Sequence, residues 1–173
     1  MLLAAGEFSR ALQEIGRIEE TAVLTEVDYQ IRDALVARVK ERMGDNTGAA
    51  ADYRAALPVA ESFRNRNPES WRAYPTLARI YAALDRKDEA LAAMSTCLEL
   101  LPTKQSPWYA TTVTLRSLVE VQSRCGLIDE ALAIVREQSA AGMWRRNELR
   151  LCLEYHWLRQ DPRFQAIIDR APL

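Results

Sequence analysis

The sequence has little of what catalysis usually requires. Its 173 residues hold one histidine, His156, and six glycines that never stand as Gly-x-Gly or ahead of a Lys-Ser or Lys-Thr pair. A phosphate-cradling loop is thereby excluded, because such loops need close glycines to bring backbone N–H groups against the anion. The three cysteines, Cys97, Cys125 and Cys152, form no Cys-x-x-Cys pair. An odd, sparse set argues against a disulfide scaffold and fits a reducing compartment. Excess charge is missing too: 23 basic and 24 acidic residues leave −1. That balance gives no global attraction to nucleic acid or to an acidic membrane. No apolar run approaches the ~20 residues that span a bilayer. The opening stretch MLLAAGEFSR lacks the basic segment and the length of a signal peptide. A cytoplasmic protein is expected.

Strand patterns are nearly absent, and helical spacing takes their place. Leu115, Leu118, Val119, Gln122, Cys125, Ile128 and Leu132 return to similar faces, with Gly126 interrupting the run. Small polar residues beside prolines mark helix starts at Asn67-Pro68-Glu69, Ser106-Pro107 and Asp161-Pro162. Turns are expected at Gly44-Asp45, Leu84-Asp85, Pro102 and Gly126. Pro58 and Pro75 lie inside helical patterns, so each predicts a kink or a helix start.

The stretch DEALAAM at 88–94 has a near-copy, DEALAIV, at 129–135. Counting from its alanine, Ala90 follows Asp85 by five residues and Ala131 follows Gly126 by five. The same offset joins Gly44 to Ala49 and Gly6 to Ala11. Successive alanines are 38, 41 and 41 residues apart, a period that indicates stacked supersecondary units. In the third unit, Tyr74, Leu77, Ala78, Tyr81, Ala90, Met94, Cys97 and Pro102 stand at the signature spacings of a tetratricopeptide repeat. This unit resembles that family closely. The alanine must be small where two helices pass close, and the aromatic and leucine positions fill the space between hairpins. The fourth unit matches at Leu115, Leu118, Val119, Gly126, Ala131 and Val135 but departs at Gln122 and Gln138. The second matches at Val36, Ala37, Gly44, Ala49 and Tyr53 but departs at Asp33 and Lys40. The first shows only its latter half, which predicts a chain cut from something longer; a genuine start with a lone capping helix is the alternative. A period of 41 exceeds the usual length of about 34 by roughly two helical turns, part of which is placed in 56–73.

The closing stretch WLRQDPRFQAIIDR (157–170) is similar to the end of tetratricopeptide arrays in bacterial signalling proteins, through Leu158, Arg159, Asp161, Pro162, Arg163, Phe164 and Ile168. Such arrays follow kinase, cyclase or winged-helix domains, none of whose motifs occur here. Together the resemblances imply an all-α, right-handed superhelix (solenoid) of antiparallel helix pairs. Hairpins are expected over 1–143 (partial 1–22, then 23–66, 67–104 and 105–143), and capping helices over 144–173, with Phe164, Ile167 and Ile168 sealing the open end.

Chemistry is harder to place. Cys152 and His156, four apart, could share a helix face as two zinc ligands, but no third ligand stands nearby. Packing beside Trp157 is the plainer reading. Asp88-Glu89 and Asp129-Glu130 suit the first turns of helices. Trp71, Trp108, Trp144 and Trp157 fall near different hairpin ends, which favours packing over an aromatic cage. No catalytic residue, cofactor or metal is expected, and the chain is read as no enzyme.

The family resemblance implies which side chains face the concave groove: Arg38, Glu41, Arg72, Arg79, Arg116, Glu120 and Arg124. Arg38 and Arg79 occupy the same place in successive units. A ladder of arginines suits an acidic peptide or a terminal carboxylate. The asparagines of peptide-clamping relatives are missing at these positions. The alternative is a solvated face with pairs such as Arg116–Glu120, four apart. The expected function is an interaction module that binds a protein or peptide segment, regulatory in a bacterial signalling protein. Self-assembly into a homo-oligomer through an open edge at 7–20, exposing Phe8, Leu12 and Ile15, is a second reading. A small-molecule sensor, with a cavity near His156 or the arginines, is a third.

Overall fold

A computed structural model of the chain describes residues 7–18, 22–24, 29–101 and 108–172. It is built almost wholly of helices. α1 spans Phe8–Gly16, α2 Arg32–Arg42, α3 Asn46–Arg66, α4 Tyr74–Ala83 and α5 Lys87–Leu100. α6 spans Trp108–Cys125, α7 Ile128–Ala140, α8 Arg146–Leu151 and α9 Pro162–Arg170. Two 3-10 turns, Trp71–Ala73 and Leu153–Leu158, precede α4 and α9. Among the described residues no helix is long and apolar enough to cross a membrane.

Consecutive helices pack on one another from α1 to α7, and α9 lies against both α7 and α8. α2 lies against α3, α4 against α5 and α6 against α7, and contacts of α3 with α4 and of α4 with α6 join these pairs. The short turns inside the pairs share one device. Gly44, Asp85 and Gly126 adopt left-handed backbone, with φ of 83°, 60° and 91°. The next N–H then reaches back five residues, from Asp45 to Lys40 O (3.0 Å), Arg86 to Tyr81 O (2.9 Å) and Leu127 to Gln122 O (2.9 Å). The turn residue's own N–H reaches back three, to Glu41 O, Ala82 O and Ser123 O, so two orphan carbonyls of each helix end are satisfied. Five residues beyond each turn residue stand Ala49, Ala90 and Ala131, exposed by 2%, 0% and 0%. The periodic alanines are therefore all buried in the packed helices. The offset from Gly6 to Ala11 begins outside the described residues, although Ala11 is itself buried.

Two cores form. The first gathers α2 to α5, including Tyr53, Trp71, Tyr74, Leu77, Tyr81, Met94 and Cys97. The second gathers Trp144, Leu149, Tyr155, Leu158, Phe164 and Ile168 around Ala131, Leu132 and Val135. α6 walls both, giving Val121 to the first and Val119 to the second.

Several expectations need correction. Residues Ala22–Leu24 and Tyr29–Ile31 pair as an antiparallel hairpin, with Val23 opposite Gln30. Strands of three residues are too short to show an alternating pattern. Of the kink or helix start expected at Pro58, the start is ruled out: α3 runs through it for 21 residues. Arg54 and Pro58 are both exposed, so the carbonyl four residues back, which lost its donor, faces water. Pro75 does open a helix, in the first turn of α4. Asn67 closes α3 instead of opening a helix; its Nδ2 donates to Phe63 O at 2.9 Å. Asp161 caps α9 as expected, accepting from Arg163 N at 2.8 Å. Ser106-Pro107 and Pro102 lie outside the described residues. Phe8, Leu12 and Ile15 are half-buried rather than exposed, because α1 rests on α2. Residues 56–73, where part of the added repeat length is expected, hold the latter part of α3 and the turn at Trp71–Ala73.

Candidate interaction site: a buried ionic cluster on the inner face

Six of the seven residues expected in a groove take part in a set of ion pairs, with α2, α4 and α6 supplying them. Arg38 Nη2 donates to Glu120 at 3.2 and 3.4 Å. Arg79 Nη1 stands 4.0 Å from the same carboxylate. Arg124 forks onto Glu41, one bond measuring 3.0 Å. Arg116 pairs with Glu148 of α8. The seventh, Arg72, precedes α4 and lays its guanidinium 4.8 Å over the Trp71 ring.

The pairing differs from both expectations. Arg116 and Glu120 do not serve each other, and the face is not solvated: the Glu120 side chain is 6% exposed and that of Arg38 14%. Nor is this face open. The Leu153–Leu158 turn folds into it and brings Glu154 to 3.4 Å from Arg38. Arg42 donates to Leu153 O at 2.7 Å and Arg159 to Cys152 O at 2.9 Å, so two guanidinium groups hold consecutive carbonyls of that turn. Trp157 completes the cover, its ring 5.0 Å from the Arg124 guanidinium, which also lies 5.6 Å from Tyr53.

Burial and charge oppose each other here. Burial alone would lower the Arg38 pKa, but Glu120 and Glu154 outweigh it and raise it above the usual arginine value. Arg42 shows the opposite balance. Burial dominates, Arg38 and Arg159 repel it, and its pKa is lowered to about 10. Burial pushes the Tyr53 hydroxyl up, helped by Glu41. For Glu154 burial works upward, yet Arg38, Arg79 and Arg116 win and hold its carboxyl below the ordinary range.

That last shift has a measurable consequence. A carboxyl depressed in the folded state adds stability above its unfolded pKa and loses it as pH falls through the folded one. Glu154 therefore stabilises the chain fully above about pH 4.5 and progressively less below it. Thermal melts between neutral pH and pH 3 should show a steeper acid decline for the native chain than for Glu154→Gln. Parallel curves would contradict this.

The remaining candidates resolve simply. His156 packs edge-on against Trp157, with centroids 5.1 Å apart. Among the described residues no group of three His, Cys, Asp or Glu is arranged to hold a metal ion. Burial pushes the Cys125 and Cys152 thiols up, away from the thiolate that nucleophilic chemistry needs. A cavity of about 420 Å³ lies at α7 and α9 and is lined by neither His156 nor the inner-face arginines.

What the sequence reading missed is the occupant. Glu148, Glu154, Arg42 and Arg159 all join or flank the cluster. A signal existed in LCLEYHWL, where one acid stands among apolar residues and must find a cation once that stretch is packed. Comparison with protein-family models, with curated protein sequences and with solved structures finds no match for this chain.

Proposed function

We propose that the chain is a non-enzymatic, cytoplasmic interaction module of tetratricopeptide type, regulatory in a bacterial signalling protein, whose inner face receives an acidic segment of a partner. Three observations support the reading. Consecutive helices pair through the same left-handed turn at a fixed offset from a buried alanine. Helices α2, α4 and α6 turn arginines toward one another. The repeat and closing signatures resemble such arrays. The observation that carries it is Glu154: the chain's own carboxylate lies in the arginine cluster as an acidic ligand held in cis. An outside carboxylate of the same chemistry would compete for that place, with the Leu153–Leu158 turn lifting away.

The test is a titration of native chain and Glu154→Gln with a labelled oligo-aspartate peptide at low and high salt. Removing the internal competitor should tighten binding by about tenfold, since one charge-assisted contact of this kind is worth about 1–2 kcal/mol. Salt should weaken it. If neither protein binds the peptide in a salt-sensitive manner, the reading fails.

A further inference from the structure

The cavity at α7 and α9 has a construction of its own. The pair Arg163 Nη1–Asp129 Oδ1, at 2.5 Å, ties the start of α9 to the first turn of α7. On α9, Phe164 and Ile168 turn into the second core. The neighbouring stripe of Arg163, Ala166, Ile167 and Arg170, at helical spacings of three, four and seven, then faces the cavity. Across from it stand Arg136 and Ala140 of α7. Small side chains on both helices leave the 420 Å³ open. The Ser139 hydroxyl beneath donates to Trp144 O at 3.3 Å, so the floor presents mainly carbon.

The three arginines differ. Arg163 is neutralised by Asp129 and Asp161. Arg136 and Arg170 have no ion pair among the described residues, and no acid lines the cavity. Arg170 sits in the last turn of α9, where the helix dipole itself favours a cation. Arg136 is not in the last turn of α7, so that account does not reach it.

We propose that this trough docks an acidic segment of a partner protein, which inserts one apolar side chain over Ala140, Ala166 and Ile167 and sets carboxylates on Arg136 and Arg170. The two cations lie on opposite walls with an apolar floor between them. A peptide meets that pattern, because it carries several carboxylates around one side chain. A fatty acid brings a single charged head, which leaves one of the two cations unmatched. The site is separate from the inner-face cluster and does not depend on the function proposed for it.

The test uses the full chain and a fluorescein-labelled decapeptide carrying one leucine among aspartates, read by anisotropy. Arg136→Glu with Arg170→Glu, both exposed positions, should weaken binding about tenfold. Ala166→Trp, which fills the trough, should weaken it without altering charge. Oligo-aspartate lacking the leucine should be insensitive to all three substitutions. Binding of the decapeptide that is unchanged in both variants, or that responds only to the inner face (tightened by Glu154→Gln, weakened by Arg38→Glu), overturns this proposal and leaves the inner-face reading standing. Displacement of the decapeptide by decanoate as readily as by unlabelled peptide also overturns it, in favour of an amphiphile.

Discussion

Glu120→Met should cost about 3–5 kcal/mol of folding stability, the range for removing one partner of a buried ion pair. Glu120 is the acid on which the inner face depends most. It accepts from Arg38, stands 4.0 Å from Arg79, and its field is the largest attraction acting on Arg42. Without it, Arg38 keeps only Glu154, and Arg42 loses the attraction that offsets its burial. The size of the loss comes from stranded cations more than from one broken pair. A triple replacement, Glu120→Met with Arg38→Met and Arg79→Met, should therefore be less destabilised than the single one, because it removes the cations together with their acid. Urea denaturation of the variants measures this. A single variant within 1 kcal/mol of native, as for an exposed pair, would show that the cluster is solvated.

The fold was legible wherever one residue type answers one local demand. A left-handed turn requires glycine or a tolerant residue such as Asp85, and a close helix contact requires alanine, so the offset between them survives as sequence. The cap at Asp161 was legible for the same reason. The errors fall where several local solutions exist. An asparagine can open or close a helix, and at Asn67 the neighbouring Phe63 carbonyl decided. A proline on the exposed side of a long helix can be tolerated, as Pro58 is. Strands of three residues carry almost no pattern. The candidate site divides in the same way. The family resemblance implies one shared face for Arg38, Glu41, Arg79, Arg116, Glu120 and Arg124, and all six join ion pairs there. Their partners do not follow, because Arg38 and Glu154 are 116 residues apart and no local rule links them.

The second large effect should come from Trp144→Ala, at about 3–5 kcal/mol. Trp144 is fully buried beside Tyr155, with ring centroids 5.4 Å apart, and Tyr155 meets Phe164 at 5.8 Å. This row holds α8, the Leu153–Leu158 turn and α9 on α6 and α7. Trp144 Nε1 is buried without an acceptor among the described residues, so Trp144→Phe should cost much less than the alanine. The damage should also be local. Among the described residues the second core shares only α6 with the first, and hydrogen exchange should therefore rise across 146–170 while α4 and α5 keep their protection. Equal loss in α4 and α5 would mean that the two cores open as one, contrary to this view. Freeing the C-terminal turn withdraws Glu154 from Arg38, so Trp144→Ala should bind the oligo-aspartate peptide as Glu154→Gln does. Agreement between those two variants, one altered in packing and the other in charge, would tie peptide binding to displacement of the turn; a Trp144→Ala protein that loosens the segment yet gains no binding would separate them.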